Sequence, residues 1–376
     1  MFNNAMLPDI INFDHSNSLT TKSDNNLIGA KNDIDAITIW LKEFIHSKNT
    51  FIAYRQVAER FYMWLQFNHQ DLSSVSRDLI QSYMSFLTNP EPHEYWCGAA
   101  VARTNPNWKP FVKGLADKSI HFNLQILKSM FDYLVDSGYL TKNPFRLVRH
   151  RVNSEPKEMP IERYLTLEEF DSILTYISKL PQDTLEQKLD KERSLWIFKL
   201  LYLTGCRRSE VANAKMSDFI FKRNQWWLKV IGKGNKYGEI PVTNELINAL
   251  TQYRSANGLS PYPNNNEGNI GIVFNNHKQK LSAISDSMLY KIIKKICTQV
   301  ADEIRITDMA RAYKFEKIST HWLRHTSATH QVDSGIDLRI VKKNLRHSQI
   351  ETTMRYQHTE ADTQYNETTD KFKLNK

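Results

Sequence analysis

One stretch of β pattern interrupts a chain whose apolar residues otherwise recur at helical spacing, and that contrast limits the folds open to it. Ile34, Ile37, Trp40, Leu41, Phe44 and Ile45 fall at intervals of three and four. The same spacing links Phe51, Tyr54, Val57, Phe61, Trp64 and Leu65, then Leu79, Ile80, Tyr83, Phe86 and Leu87 from about Ser76. A fourth run holds Ile120, Leu124, Leu127, Met130, Phe131 and Leu134 and stops at Ser137-Gly138, a helix-ending pair. Four amphipathic helices of this length predict a compact helical domain. Residues 219–242, FIFKRNQWWLKVIGKGNKYGEIPV, instead read as three strands with turns at Lys222-Arg223-Asn224 and Gly232–Gly238. Helices are expected around them at 167–179, 190–204, from Asn244, near Ser285 and from His321 onward. The expected fold class is mainly α with a small antiparallel β-sheet.

At 376 residues the chain is expected to hold two domains. Residues 1–30 are polar and read as a disordered N-terminus, and 31–145 as the helical domain. Residues 88–116 break the latter as an insertion containing Pro90, Pro92, Trp96, Cys97, Trp108 and Pro110. That length is unusual for a structureless loop, so the insertion is either functional or built from short elements without periodicity. Residues 146–163 form a basic linker, 164–360 the second domain and 361–376 a polar tail. The second domain opens on Thr166 with Glu169 three positions on, a capping box.

The net charge of +9 favours a polyanionic partner only mildly. Three cysteines, Cys97, Cys206 and Cys297, stand far apart with no C-x-x-C pair, which argues against a zinc knuckle and a disulfide framework. No secretory signal and no transmembrane run is read, so a cytoplasmic protein without a membrane partner is expected.

Four short frames carry candidate chemistry. In T-G-C-R-R-S-E, the glycine ends one helix and Arg207 stands at the start of the next, where a guanidinium can grip two oxygens of an anion. Glu210 shares its face and could orient it. G-K-G-N-K places Lys233 at a sheet turn, where an ammonium could protonate a leaving oxygen. It is not a Walker A loop, so no nucleotide triphosphate site is read. In H-W-L-R-H-T, His321 and Arg324 share a helical face. His325 and His330 lack a cysteine or carboxylate at ligand spacing, so no metal is expected. L-R-H-S-x7-Y presents His347 and Tyr356. Each frame alone is as well explained by solvated charge or by an ordinary core tyrosine. The last can also be read as the turn and second helix of a helix-turn-helix, with Gln349, Thr352 and Thr353 reading bases.

Together, in this order, the frames resemble the tyrosine recombinase (phage integrase) family, in its Xer-like and phage integrase branch, over residues 160–360. The helical domain resembles that family's SAM-like core-binding domain, and the second its α+β catalytic domain. The resemblance implies a site-specific recombinase with catalytic Arg207, Lys233, His321, Arg324, His347 and the nucleophile Tyr356, supported by Glu210. It implies attack on a DNA phosphodiester to give a 3′-phosphotyrosyl link, then strand exchange by a 5′-hydroxyl, without cofactor, metal or ATP. Double-stranded DNA is the expected partner and a tetramer on DNA the expected assembly, with room for an accessory protein. Arg146, Arg149, Arg151, Arg208, Lys236 and Arg346 are the expected further DNA contacts. The alternatives are an inactive DNA-binding protein of the same fold and a type IB-like topoisomerase. One departure stands out: the family usually has Leu-Gly-His where this chain has Leu345-Arg346-His347. If that position needs φ > 0, an arginine there is strained; it could instead add a phosphate contact.

Overall fold

The computed structural model describes residues 26–148, 163–232, 237–275, 281–347, 349–354 and Thr369. The chain divides into two compact units, Met1–Glu158 and Met159–Lys376. That boundary and the expected DNA contacts Arg149 and Arg151 lie outside the described residues.

The first unit is built on helices α1 (Asp33–Lys42), α2 (Lys48–Phe67), α3 (Arg77–Thr88), α4 (His93–Trp96) and α5 (Asp117–Asp136). Asn32 and Ser76 cap α1 and α3 by accepting the N–H groups of Asp35 and Leu79. Gly138, at φ +72°, follows the end of α5. The apolar faces meet in an aromatic core: the Phe61 ring packs edge-on against Tyr83, Phe131 and Phe145. A buried carboxylate closes the bundle. Asp33 accepts the Leu72 N–H at 2.9 Å and the Tyr139 hydroxyl at 2.7 Å.

Residues 88–116 are made of short elements. After the single turn of α4, Trp96, Cys97 and Phe111 enter the core of this unit. One β-bridge joins Cys97 to Phe111. Arg60 stacks on the Phe111 ring and donates to the Pro110 carbonyl at 2.9 Å. Arg103 reaches back to the buried Glu59 at 2.8 Å. A four-residue helix and a lone bridge leave no periodicity in the sequence, which is why pattern reading sees only a gap.

The second unit begins with α6 (Leu167–Ser178), started by the Thr166–Glu169 capping box. Helix α7 (Leu185–Thr204) starts five residues earlier than expected, because Thr184 and Gln187 form a second capping box. Next come α8 (Arg208–Asn213) and strands β1 (Phe219–Lys222), β2 (Gln225–Ile231) and β3 (Tyr237–Pro241), antiparallel in that order. Arg223 and Asn224 both have positive φ, as a two-residue hairpin turn demands. Phe219 pairs with Leu228, and Val230 with Gly238. The remaining helices are α9 (Asn244–Ala256), α10 (Asp286–Ile304), α11 (Met309–Lys317), α12 (Thr320–Asp333), α13 (Leu338–Leu345) and α14 (Glu351–Met354). The helices expected from His321 onward are α12, α13 and α14 among the described residues, with the first break at Gly335, φ +79°. Helix α11 was not anticipated. Its buried stripe is only Ala312 and Phe315, too thin to register as a pattern.

Trp196 anchors the second core: its indole N–H donates to the Ile272 carbonyl at 2.7 Å, and its ring stacks on Tyr253. No helix among the described residues is long and apolar enough to cross a membrane. Replacing the fully buried Trp96 by alanine is expected to destabilise the first unit by about 3–5 kcal/mol. Urea denaturation read on that unit's transition checks whether the 88–116 segment is part of its core.

Candidate active site

The site forms where α7 ends, because Gly205 is the left-handed cap of that helix at φ +58°. A side chain there would also collide with its neighbours: a Cβ would lie 2.6 Å from Leu345 Cδ2 and 3.2 Å from Ser327 Oγ. Gly205 thus lets α12 and α13 close onto the turn that carries Arg207.

Arg324 holds this junction from inside. It is 3 % exposed. Its guanidinium donates to the Gly205 carbonyl at 2.5 Å and to the Leu345 carbonyl at the end of α13. One buried cation therefore collects carbonyls from the ends of two helices, where the helix dipoles are negative. His321, one turn earlier on α12, lies on the exposed side of the helix, and its ring meets His325 edge-on at 4.5 Å. His330 is turned to another task, with its Nδ1 2.9 Å from the Tyr202 hydroxyl.

Arg207 is the N-cap of α8. Glu210 accepts its backbone N–H at 2.7 Å and its Nη1 at 2.9 Å. The carboxylate is buried, whereas the Arg207 side chain is 37 % exposed. Burial alone would raise the Glu210 carboxyl, but the charge of Arg346 and hydrogen bonds from Arg346 and Arg207 outweigh it, leaving the pKa below the ordinary value.

His347 follows α13 directly. The last carbonyls of α13 are satisfied by a Schellman pair, Arg346 N–H to Lys343 and His347 N–H to Lys342, both at 3.1 Å. This arrangement puts Arg346 in the left-handed region, at φ +55°. Such a conformation costs roughly 1–2 kcal/mol for a residue with a Cβ. The Arg346 side chain turns inward to Glu210. His347 Nδ1 is 2.9 Å from the Thr353 hydroxyl, and Thr353 is fully buried. That contact overturns one part of the helix-turn-helix reading: Thr353 faces a histidine inside the fold and cannot address a base edge.

Electrostatics ties these residues together. His347 is pushed down to about 4, first by burial and then by Arg324, Arg207, Arg346 and His325. His321 is lowered too, by desolvation and then by Arg324, Arg163 and Arg207. Both rings are neutral at neutral pH and sit within the field of the same two arginines. An incoming phosphate would offset that field and let each ring take up a proton.

Of the expected site residues, the fold brings together Arg207, Glu210, His321, Arg324 and His347. Lys233, Lys236 and Tyr356 lie outside the described residues; strands β2 and β3 flank the first two in sequence. Three expected DNA contacts are held in ion pairs: Arg146 with Asp132, Arg208 with Asp286 and Arg346 with Glu210. The sequence places Gly205 at a helix end but does not show its close approach to Leu345; Arg163 was missed, and nothing in the sequence ties Thr353 to His347.

The depressed His347 sets a pH dependence. Between pH 6.5 and about 4 the unfolded chain binds a proton that the folded ring refuses. Stability of the second unit therefore falls as pH drops through that window and loses nothing further from this group below it. Replacing His347 with glutamine is expected to flatten this part of a Tm-against-pH profile, measured without DNA.

Comparison with known proteins agrees with this geometry. A model of the phage integrase family matches residues 163–362, more than half of the chain. Tyrosine recombinase XerC of Thermodesulfovibrio yellowstonii is 28 % identical over 250 residues, covering 66 % of this chain and 74 % of its own. Tyrosine recombinase XerA of Pyrococcus furiosus is 27 % identical over 306 residues, covering 80 % and 88 %. Among solved structures, the XerH site-specific recombinase in a post-cleavage complex with its difH substrate aligns with a TM-score of 0.58 at 19 % identity, over 93 % of this chain and 86 % of that one. The Tn1549 transposon integrase in complex with circular-intermediate DNA aligns at 0.57 and 18 % identity, over 89 % and 99 %. This chain belongs to the phage integrase family, the tyrosine recombinases.

Proposed function

We propose that the protein binds double-stranded DNA at a defined site and exchanges strands there through a covalent tyrosine intermediate. The observation that carries this reading is the gathering of Arg207, His321, Arg324 and His347 from three separate segments into one electrostatic neighbourhood. A phosphodiester attacked at phosphorus develops charge on its non-bridging oxygens. Arginine and histidine N–H groups fixed beforehand around that position stabilise the transition state without reorganising.

In this mechanism the Tyr356 hydroxyl gives its proton to a neutral histidine ring of the site as its oxygen attacks phosphorus, and the bond to the 5′-oxygen breaks. The products are a 3′-phosphotyrosyl link and a 5′-hydroxyl. Lys233 gives its proton to the departing oxygen, since an alkoxide leaves poorly. A 5′-hydroxyl from a second DNA then attacks the link, giving its proton to the neutral Lys233; phosphorus returns to a deoxyribose oxygen, and the tyrosine oxygen recovers its proton from the histidine. The phosphoryl energy stays in the ester throughout, so no ATP is consumed. Charge neutralisation by the two arginines and two histidines fills the role a metal plays elsewhere. Buried Arg324 fixes the geometry, Arg207 offers its more exposed guanidinium to the phosphate, and His347 addresses it through Nε2 while Nδ1 faces Thr353. Four copies would assemble on the DNA for exchange, and the reaction would run in the cytoplasm.

With nicked duplexes cut from DNA flanking its own gene, the wild type is expected to form a DNA-linked peptide at Tyr356, mapped by mass spectrometry. Tyr356→Phe should bind the same duplex and give no adduct. Full-yield adduct in that variant would sink the assignment. Tight, salt-sensitive binding with no adduct from the wild type would mark an inactive binding protein instead, and relaxation of arbitrary plasmids would mark a topoisomerase.

Lys233→Ala should slow adduct formation about 10²–10⁴-fold, the usual worth of general acid catalysis. A substrate with sulfur in place of the 5′-bridging oxygen should restore most of the rate, because a thiolate leaves without a proton. Single-turnover kinetics on the two substrates checks this.

A further inference from the structure

The residue least at home in its surroundings is Arg346. It occupies a left-handed position at φ +55°, which glycine adopts without strain. The backbone opposite makes a second accommodation for it. At Gly238 on β3, an added Cβ would lie 2.6 Å from Arg346 Cδ and 3.0 Å from its Cγ. The aliphatic stem is thereby clamped beneath the strand, and the side chain is 11 % exposed. Its head groups are directed by three contacts: Nε to Glu210 Oε1 at 3.3 Å, Nη2 to Glu210 Oε2 at 2.5 Å and Nη1 to the Asn344 carbonyl at 2.6 Å.

Glu210 consequently serves two arginines. Oε1 accepts Arg207 Nη1 and Arg346 Nε, while Oε2 accepts the Arg207 backbone N–H and Arg346 Nη2. A buried carboxylate demands a counter-charge. If Arg207 were the only one, its guanidinium would be drawn inward to satisfy both oxygens. With Arg346 covering the carboxylate in a two-point grip, Arg207 gives Glu210 one side-chain N–H, and the cluster keeps a net positive charge.

We propose that Arg346 is a positioning residue for the reaction: by taking up both oxygens of Glu210, it limits the Arg207 guanidinium to one bond to that carboxylate and leaves the rest of it directed toward the phosphate. This rests on the recombination reading only for the identity of that phosphate. The arrangement also links β3, at Gly238, to Glu210 beside Arg207 through one side chain.

The test uses inorganic phosphate as the probe on the full chain. Phenylglyoxal modifies exposed arginines, and mass spectrometry reports how much phosphate half-protects Arg207. Relative to wild type, Arg346→Gly should raise that concentration about tenfold, the scale of losing one nearby charge across a partly solvated gap. Arg346→Lys should recover most of the loss, which a purely shape-filling role would not predict. Arg346→Gly should also move the His347 titration, followed by NMR of the ring, to higher pH, since one of the cations opposing its protonation is gone. Gly238→Ala displaces the same side chain without changing charge, and it carries the test if Arg346→Gly fails to fold: half-protection should again need more phosphate. An unchanged concentration in the folded variants, or protection falling on Arg346 in place of Arg207, would overturn the proposal. If the wild type forms no covalent adduct with any duplex, the recombination reading falls while the phosphate measurement still decides the role of Arg346.

Discussion

A single buried guanidinium sets the position of everything else in the site. Arg324 is out of water, and a buried charge is tolerated only when its donors are matched. Its partners are backbone carbonyls at the ends of α7 and α13, Gly205 and Leu345. The helices must therefore end where they do, and at the right distance from α12. Gly205 can be nothing larger, because Leu345 and Ser327 occupy the space beside it. Arg207, two residues after Gly205, and His347, two residues after Leu345, inherit their places from this one arrangement.

A second layer tunes the charge that the first layer positions. Glu210 is buried between two arginines and stays ionised because they outweigh its desolvation. The pKa values of His347 and His321 are lowered first by burial and then by Arg324 and Arg207 among other cations. The resting site thus stores unbalanced positive charge with two rings ready to accept protons. That is the state in which an anionic ligand gains most, because its arrival relieves repulsion already present.

Much of this was legible in the residue types. Helical periodicity located the main helices of the first unit, and the switch to β pattern located the sheet. The frames around Arg207, His321 and His347 named residues that the fold does bring together. Reading failed where an element is too short or too thinly apolar to show a period. The turn of α4, the bridge from Cys97 to Phe111 and helix α11 are of that kind. It expected helices at the end of the chain but not where they break. Gly335 ends the first at positive φ, and Arg346, which no propensity would place there, adopts the left-handed conformation that ends the second.

The sequence by itself determined the fold class, the succession of helices and strands and the chemical types at the site, because periodicity, caps and turn residues act over a few neighbouring positions. Tertiary structure alone decided the partnerships. Arg346 reads as a strained replacement for glycine or an added phosphate contact, and it closes on Glu210, 136 residues away. Thr353 reads as a polar helix surface, yet it is sealed against His347. Arg208 reads as a DNA contact, yet it is matched to Asp286. Whether a charged side chain meets solvent, a ligand or another charge depends on which distant segment packs over it, and local sequence carries no record of that.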